Sequence, residues 1–216
     1  MTTHHDRGRR GDTTVLLIHG GLWEPGMDAN RFWTVPGITA GIERAGFSVL
    51  APNRLHQPPN WDAEVEHLAG MLPARPVVVV AGSNGCSVAI RLALTRPRQV
   101  ARLLLGWPAT AGDARVDSHT RASLSTLGAS PGTVHALLAG QTVRGVTDTE
   151  LATLSTPVAV LPAVPANAFH QRHTVDALRR LLPHSVELPG CPEPPRRDFQ
   201  LHLDRFLAAV TAFADA

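Results

Sequence analysis

One serine stands where it could act as a nucleophile. Residues 77–90 run from four consecutive valines through small residues around Ser83 into a second apolar stretch, which predicts a buried strand, a sharp turn and a helix. Ala81 and Gly85, two positions before and after the serine, leave room for the strand and the helix to approach each other. Such a turn exposes the serine hydroxyl above the sheet, and the chemistry it predicts is nucleophilic acyl transfer.

The residue after the serine offers a hydrogen-bond donor for this chemistry. The Asn84 N–H lies at the start of the predicted helix, where backbone donors are unpaired and the helix dipole is positive. Donors of this kind stabilise the oxyanion that develops during acyl transfer. We therefore expect Asn84 to contribute to an oxyanion-binding site.

Two motifs resemble those of the α/β-hydrolase family. Residues 81–85 (Ala-Gly-Ser-Asn-Gly) are similar to its Gly-x-Ser-x-Gly nucleophile elbow, with alanine in place of the first glycine. Residues 14–21 form an apolar stretch ending in His-Gly-Gly, which resembles the family's oxyanion loop. The resemblance covers nearly the whole chain. It implies an α/β fold with a mostly parallel central sheet, helices on both faces and a short cap region.

The resemblance also implies roles for residues of the oxyanion loop. The N–H of Gly21, with that of Leu22 as the alternative, would bind the oxyanion together with the N–H of Asn84. His19 would brace the loop and take no part in the chemistry.

The family's acid and histidine are both replaced. In the family the order along the chain is serine, acid, histidine. The acid follows the penultimate strand, where residues 163–170 contain no carboxylate and Asn167 is nearest the expected place. The histidine follows the last strand, in a turn resembling Pro-Gly-x-x-His, and here Glu193 occupies its position. An asparagine could orient an imidazole but would stabilise its cation less well.

Three residues are alternative bases for Ser83. His170, at the mouth of the penultimate strand, could reach the serine with Asp113 as its partner. Glu193 could act as a base itself if burial raises its pKa. His202 could fold back from the final helix, although its flanking leucines fit a helix surface. The remaining alternative is a site without a working base.

Several residues are candidates for lining a substrate pocket. Trp23 and Glu24 lie in the predicted oxyanion loop. Trp107 follows the carboxyl end of a predicted strand, where open α/β sheets bind their ligands. Packing in the core is the alternative for Trp107 and the expected role of Trp61.

Composition excludes several classes of function. The net charge is +2, and the twenty basic residues are all arginine. The absence of lysine excludes Schiff-base chemistry and a Walker-type phosphate loop, and scattered arginines with few aromatic residues argue against nucleic-acid binding. We expect neither a cofactor nor a metal. Cys86 and Cys191 are expected to be buried thiols, with a disulfide or a reactive thiol as the alternative.

The pattern of elements predicts a single folded domain. Strands are predicted from residue 14 to the His-Gly-Gly of residues 19–21, from residue 77 to the turn around Ser83, and near residues 47–51, 100–106, 157–161 and 185–188. Helices are predicted near residues 31–45 (interrupted at 36–37), 61–72, 118–127, 131–138, 174–182 and 198–213, besides the one after Ser83. We expect residues 1–12 to be a flexible tail, residues 13–216 an α/β-hydrolase-like domain and residues 108–154 a reduced cap region with two or three short helices. The start of the chain is polar and no long apolar run occurs, so we expect neither a signal peptide nor a membrane span.

These observations lead to two main hypotheses. The first is a cytoplasmic serine hydrolase, a monomer or homodimer, that performs acyl transfer on a small ester, thioester or lactone through Ser83. The second is a non-hydrolytic protein of the same fold that uses Glu193 and the oxyanion hole for proton transfer, cyclisation or small-molecule binding. A binding protein with a decayed site is the third.

Overall fold

The computed structural model describes residues 11–216, which are organised around one parallel sheet. Its strands are β1 (Thr14–Ile18), β2 (Ser48–Leu50), β3 (Val77–Gly82), β4 (Val100–Gly106), β5 (Val158–Leu161) and β6 (Val186–Glu187). They lie in the order β2-β1-β3-β4-β5-β6, and every neighbouring pair is parallel. The predicted fold class is confirmed.

The sheet is buried on both faces. In β3, Val77 and Val79 belong to one hydrophobic cluster, whereas Val78 and Val80 belong to a second one. Successive side chains of a strand point to opposite faces, so the two clusters lie on opposite sides of the sheet. This arrangement explains why the central strand is a continuous apolar run and does not alternate with polar residues.

Helices cover both faces. They are α1 (Ile38–Arg44), α2 (Trp61–Ala69), α3 (Gly85–Thr95), α4 (Ala114–Thr126), α5 (Pro131–Leu138), α6 (Asp148–Ala152), α7 (Arg172–Leu181) and α8 (Leu203–Asp215). A π-helical turn spans Asn30–Thr34 and a 3-10 helix spans Arg197–His202. Residues of α2, α3 and α7 pack in the first cluster, and residues of α1 and α8 pack in the second.

Two predicted helices are subdivided. The helix expected over residues 31–45 is a π-helical turn followed by α1, because Pro36 has no N–H to donate and Gly37 adopts a φ of +87°. The final helix, expected over residues 198–213, begins as a 3-10 helix and continues as α8.

The region predicted as a reduced cap, residues 108–154, contains α4, α5 and α6. Between α5 and α6 the chain makes a tight turn in which Gly140 pairs with Arg144 and Val143 pairs with Val146. Two side chains from α2 and α3 hold this region. Trp61 Nε1 donates to the Leu137 carbonyl at 3.1 Å, and Arg91 of α3 donates to the carbonyl of Gly145.

Both cysteines are buried and free, so the disulfide alternative does not apply. Burial raises the pKa of Cys86 and raises that of Cys191 to about 11, which keeps both thiols protonated at neutral pH.

Residues 1–10 of the predicted tail lie outside the described residues. Among residues 11–216, no helix combines the length and the apolar character that crossing a membrane requires.

Candidate active site

Ser83 occupies a strained turn between β3 and α3. Its φ is +53°, a left-handed conformation that costs an L-residue about 1 kcal/mol or more. The Ser83 N–H donates to the Gly106 carbonyl of β4 at 3.0 Å, which fixes the turn against the neighbouring strand. A Cβ at Gly85 would lie 2.6 Å from the His19 carbonyl oxygen, so only glycine lets α3 approach β1 this closely.

The loop after β1 passes directly beside this turn. A Cβ on Gly20 would lie 2.9 Å from the Cβ of Ser83, and Gly21 has a φ of +82°. Arg54 donates from its Nη1 atom to the carbonyl oxygens of residues 19, 20 and 21, at 3.1, 3.4 and 2.8 Å. A single guanidinium therefore holds three consecutive peptide groups of the loop in one orientation.

That orientation determines where the loop's N–H groups point. The C=O and N–H of a trans peptide point in opposite directions. The N–H groups of Gly21 and Leu22 therefore point away from Arg54. Both residues line a cavity above Ser83. Among the described residues, no backbone carbonyl pairs with the N–H groups of Gly21, Leu22 or Asn84. The sequence predicts these three amides as oxyanion donors, and the structure leaves all three without a backbone acceptor within residues 11–216.

Arg54 is itself held by two buried groups. Its Nε donates to Glu64 Oε2 at 2.8 Å, and both side chains are almost fully buried. Its backbone N–H donates to His19 Nε2 at 3.1 Å, while His19 Nδ1 donates to the Gly20 carbonyl at 2.8 Å. Burial and the Arg54 charge lower the pKa of His19 to about 4, so the ring is neutral. His19 braces the loop, and the Arg54–Glu64 pair is a support that no sequence motif indicated.

His170 and Glu193 reach Ser83 from neighbouring loops. The loops after β5 and β6 continue side by side, with Ala163 paired to Cys191 in a parallel bridge. His170 Nε2 lies 2.9 Å from Ser83 Oγ, and Glu193 Oε2 lies 3.5 Å from the same ring nitrogen. The structure thus brings together the serine and two of its predicted alternative bases.

Burial shifts the pKa values of these two groups. It lowers the pKa of His170 to about 4, so the ring is uncharged at neutral pH. Burial also raises the pKa of Glu193, with the Arg196 charge opposing the shift and the Glu24 charge adding to it. A neutral imidazole and a carboxylate of increased basicity therefore lie beside Ser83.

The remaining residues predicted as a base or as the partner of a base are Asn167, Asp113 and His202, and each has different surroundings. Asn167 contacts His170, with its Nδ2 atom 3.4 Å from the ring Nδ1. Asp113 instead caps α4 and accepts from two backbone amides at 3.0 Å each, because the first N–H groups of a helix need acceptors. His202 ends the 3-10 helix and is not among the described residues that line the cavity above Ser83.

A cavity of about 750 Å³ opens above Ser83. The cap contributes one wall through α4, and the loops after β1, β4, β5 and β6 contribute the others. Its lining residues are Gly21, Leu22, Glu24, Pro25, Met27, Arg31, Phe32, Ser83, Asn84, Ala109, Thr110, His119, Thr120, Ala122, Ser123, Thr126, Leu127, Arg144, Phe169, His170, Glu193 and Pro195. Of the residues predicted for the pocket, Glu24 lies here.

The two tryptophans predicted for the pocket lie elsewhere. Trp23 lines a separate cavity of about 140 Å³, and its Nε1 donates to the Pro58 carbonyl at 3.1 Å. Trp107 is fully buried in the core, where it stacks on Phe206 with ring centroids 5.4 Å apart. Its Nε1 donates to the Cys191 carbonyl at 2.8 Å. Trp107 therefore supports the loop that carries Glu193 and is not among the described residues that line the cavity above Ser83.

Comparison with known proteins identifies the fold. No protein-family model and no curated protein matches the chain. Among solved structures, serine hydrolase CCSP0084 from Cycloclasticus zankles is similar with a TM-score of 0.69 and 18% identity, over 94% of this chain and 90% of that one. MGS-MChE2, an α/β-hydrolase enzyme from a sediment metagenome of the Mar Chica lagoon in Morocco, gives 0.64 and 15%, over 93% and 89%. The chain has the α/β-hydrolase fold. A thioesterase domain from the curacin biosynthetic pathway shares it, with a TM-score of 0.60 and 15% identity over 94% of this chain and 91% of that one.

Within this α/β-hydrolase fold, the histidine and the acidic residue lie on the opposite loops from those that the family resemblance implies. The loop after β5 is where the family resemblance places an acid, and here it supplies His170. The loop after β6 is where the resemblance places a histidine, and here it supplies Glu193. The order along the chain is therefore serine, histidine, glutamate.

Arg144 is a cavity residue that sequence analysis missed. Its Nη1 donates to Asn84 Oδ1 at 3.0 Å, and its Nη2 donates to Asp117 Oδ1 at 3.0 Å and to Thr120 Oγ1 at 3.2 Å. The Arg144 side chain is 3% exposed. Its hydrogen bond to Asn84 joins the cap to the serine turn, and its ion pair with Asp117 holds it within the cap. No spacing in the sequence links these residues, because their contact depends on how the cap folds.

The described residues contain no group of three or more metal-ligating side chains.

Proposed function

We propose that this protein is a serine hydrolase that transfers the acyl group of a small ester, thioester or lactone to Ser83 and then to water. One observation carries the proposal: Ser83, at a φ of +53°, has His170 Nε2 2.9 Å from its Oγ atom. An activated hydroxyl of this kind needs a nearby group that handles its proton. His170 and Glu193 supply that group.

The surrounding donors fit the same reaction. Attack of Ser83 Oγ on a carbonyl carbon puts negative charge on the carbonyl oxygen. The free N–H groups of Gly21, Leu22 and Asn84 are positioned to stabilise that charge. The His170–Glu193 pair takes the serine proton and returns it to the leaving group, and a water molecule then releases the acyl group.

The cavity supports a small-molecule substrate. About 750 Å³ is within the usual range for small-molecule sites, and apolar residues such as Met27, Phe32 and Phe169 contribute to its walls. The exposed Phe169 side chain stands at its rim. Mainly neutral, moderately apolar acyl groups are the substrates we propose for this site.

A fluorophosphonate probe tests the proposal. The wild-type protein, the Ser83→Ala variant and the Ser123→Ala variant are exposed to the probe and analysed by intact-protein and peptide mass spectrometry. Ser123 is a matched control because it is a second serine lining the same cavity. We expect labelling of the wild type and of Ser123→Ala but not of Ser83→Ala. An unlabelled wild type, or labelling that persists in Ser83→Ala, would overturn the proposal.

Glu193 favours a second candidate function. A carboxylate with a raised pKa, placed near oxyanion donors, could remove a proton from the carbon next to a substrate carbonyl while the amides stabilise the enolate. This activity would survive Ser83→Ala and be lost in Glu193→Gln, whereas acyl transfer is lost in Ser83→Ala. The two variants, assayed on one substrate, therefore separate the two functions.

A further inference from the structure

The side-chain amide of Asn167 has only one workable orientation. Its Oδ1 atom accepts hydrogen bonds from the backbone N–H groups of Phe169 at 2.9 Å and of His170 at 3.1 Å. Rotating the amide by half a turn would place its NH2 group against these two donors. The oxygen is therefore committed to the backbone, and the NH2 group faces the His170 ring at 3.4 Å from Nδ1.

This orientation determines which nitrogen of His170 carries the proton. An NH2 group only donates, so Nδ1 of the ring must be the acceptor. In a neutral imidazole the other nitrogen is then protonated. His170 Nε2–H consequently donates to Ser83 Oγ, 2.9 Å away. A protonated Nε2 cannot take the proton of the serine.

We propose that Asn167 is a positioning residue that holds His170 in the Nε2–H form, and that Glu193 is the base for Ser83. This inference rests on the proposed role of Ser83 as nucleophile. Glu193 Oε2 lies 3.5 Å from Nε2, so the carboxylate is on the same side of the ring as the serine. Glu193 and Ser83 also line the same cavity.

The reaction then runs without any proton change on the ring. Ser83 Oγ forms a bond to the substrate carbonyl carbon, and its proton passes to the Glu193 carboxylate. The bond to the leaving group breaks, and Glu193 gives it that proton. A water molecule next loses a proton to Glu193 and attacks the acyl carbon, the bond to Oγ breaks, and Ser83 regains a proton from Glu193. Throughout, the Nε2–H of His170 stabilises negative charge on Oγ by hydrogen bonding.

A spectroscopic experiment tests the tautomer independently of any activity. Two-bond ¹H–¹⁵N correlation spectra of protein labelled with ¹⁵N-histidine report which ring nitrogen carries the proton, and the His170 signals are those absent from the His170→Gln variant. At neutral pH we expect a protonated Nε2 and an unprotonated Nδ1. In Asn167→Asp we expect the reverse, because a carboxylate oxygen accepts from Nδ1–H. A protonated Nδ1 in the wild type would overturn the proposal, even in a protein that labels at Ser83.

The rate of fluorophosphonate labelling tests the base. In His170→Gln the side-chain amide keeps an N–H near the position of Nε2, so we expect it to retain labelling to within roughly tenfold, whereas Glu193→Gln loses about a hundredfold or more. His170→Ala, which removes the donor, should be slower than His170→Gln. If His170→Gln loses as much as Glu193→Gln, the ring is the base and the inference is wrong.

A double variant tests whether the labelling lost in Glu193→Gln can be restored. In the double variant Asn167→Asp/Glu193→Gln the new carboxylate moves the ring proton to Nδ1, and the freed Nε2 becomes a base. We expect this variant to recover much of the labelling that Glu193→Gln alone loses. No recovery, with an Nδ1–H ring seen in the spectrum, would contradict the inference. Thermal unfolding of each variant identifies any that is misfolded. A wild type that does not label refutes the proposed function, and the spectra still decide the role of Asn167.

Discussion

Ser83 combines a reactive position with a backbone that disfavours any side chain. Its φ of +53° places Cβ in steric conflict, and the hydrogen bond to Gly106 and the close contact with Gly20 hold it there. The strain keeps the hydroxyl exposed to the cavity, above the end of β3. The strain at Ser83 therefore lowers the stability of the folded state, while it fixes the position of the hydroxyl oxygen.

This strain predicts an unusual order of variant stabilities. Ser83→Gly and Ser83→Ala both lack the hydroxyl, but only glycine adopts a positive φ without conflict. We expect Ser83→Gly to be more stable than Ser83→Ala by about 1 kcal/mol in urea unfolding. Ser87 in α3 is the matched control, and there the alanine variant should be the more stable one, because glycine is unfavourable within a helix. The same order at both positions would show that Ser83 is not strained.

Individual residues differed in how far sequence alone could place them. Ser83, Asn84 and Gly21 follow local motifs, so their positions depend on only a few neighbouring residues. His170 and Glu193 were recognised as alternatives, but their meeting depends on the path of two loops after β5 and β6. The residues of each loop do not determine how far apart the two loops lie in the folded chain.

At the level of secondary-structure elements, the conformation of the loop after β1 depends on a buried ion pair. Arg54 connects three loop carbonyls to Glu64, whose side chain is fully buried. Replacing the arginine removes the brace and leaves a buried carboxylate without a counter-charge.

We expect Arg54→Met to lower the free energy of unfolding by about 3–5 kcal/mol. Arg75→Met is the control, because the Arg75–Asp12 pair is well exposed and such pairs contribute little. Adding Glu64→Gln to Arg54→Met should recover part of the loss, since it removes the unpaired charge. Chemical unfolding of the three variants measures these differences. Equal effects of Arg54→Met and Arg75→Met would contradict the assigned role.

The cap is tied to the serine turn through Arg144. Its hydrogen bond to the Asn84 side chain and its ion pair with Asp117 fix one oxyanion residue against α4. We expect Arg144→Met to slow fluorophosphonate labelling of Ser83 roughly tenfold, less than the loss from removing an oxyanion donor outright. Arg121→Met, an exposed arginine of α4, is the control and should label at the wild-type rate. Equal rates for both variants would show that Asn84 does not need this contact.

Elements with a strong local pattern were placed well from the sequence. The strand over Val100–Gly106 has the predicted bounds, and the valine strand β3 turns into α3 at Ser83. Trp107 was misplaced because its direction depends on a φ of +48° immediately after β4, which sends the indole into the aromatic core. Unlike the turn at Ser83, the positive φ of Trp107 has no motif in the sequence that marks it.

At the scale of the whole molecule, buried neutral histidines make stability depend on pH. The pKa of His19 is about 4, well below the value of about 6.5 in an unfolded chain. The unfolded state therefore binds the proton first, so this contribution to stability is complete above pH 6.5 and is lost as the pH falls towards 4. Its size is about 3 kcal/mol. His170 acts in the same direction, whereas the raised pKa of Glu193 acts in the opposite one.

We expect the free energy of unfolding to decrease between pH 7 and pH 4.5, as measured by urea titrations across that range. The His19→Gln variant keeps an acceptor for the Arg54 N–H but cannot be protonated, so its decrease should be smaller. His56→Gln, an exposed histidine, should leave the decrease unchanged. A decrease as large in His19→Gln as in the wild type would mean that His19 titrates normally in the folded protein.

The parallel bridge between the loops after β5 and β6 has an evolutionary consequence. Because the two loops run side by side, a histidine in either one can reach the same serine. A lineage can therefore pass between the two arrangements through an intermediate with a histidine in both loops, and an imidazole ring stays beside the serine at every step. Two substitutions, with no rebuilding of the backbone, then separate descendants whose motifs occur in different order along the chain. Such proteins are then related by the positions of the side chains around the serine, and not by the order of their motifs along the chain.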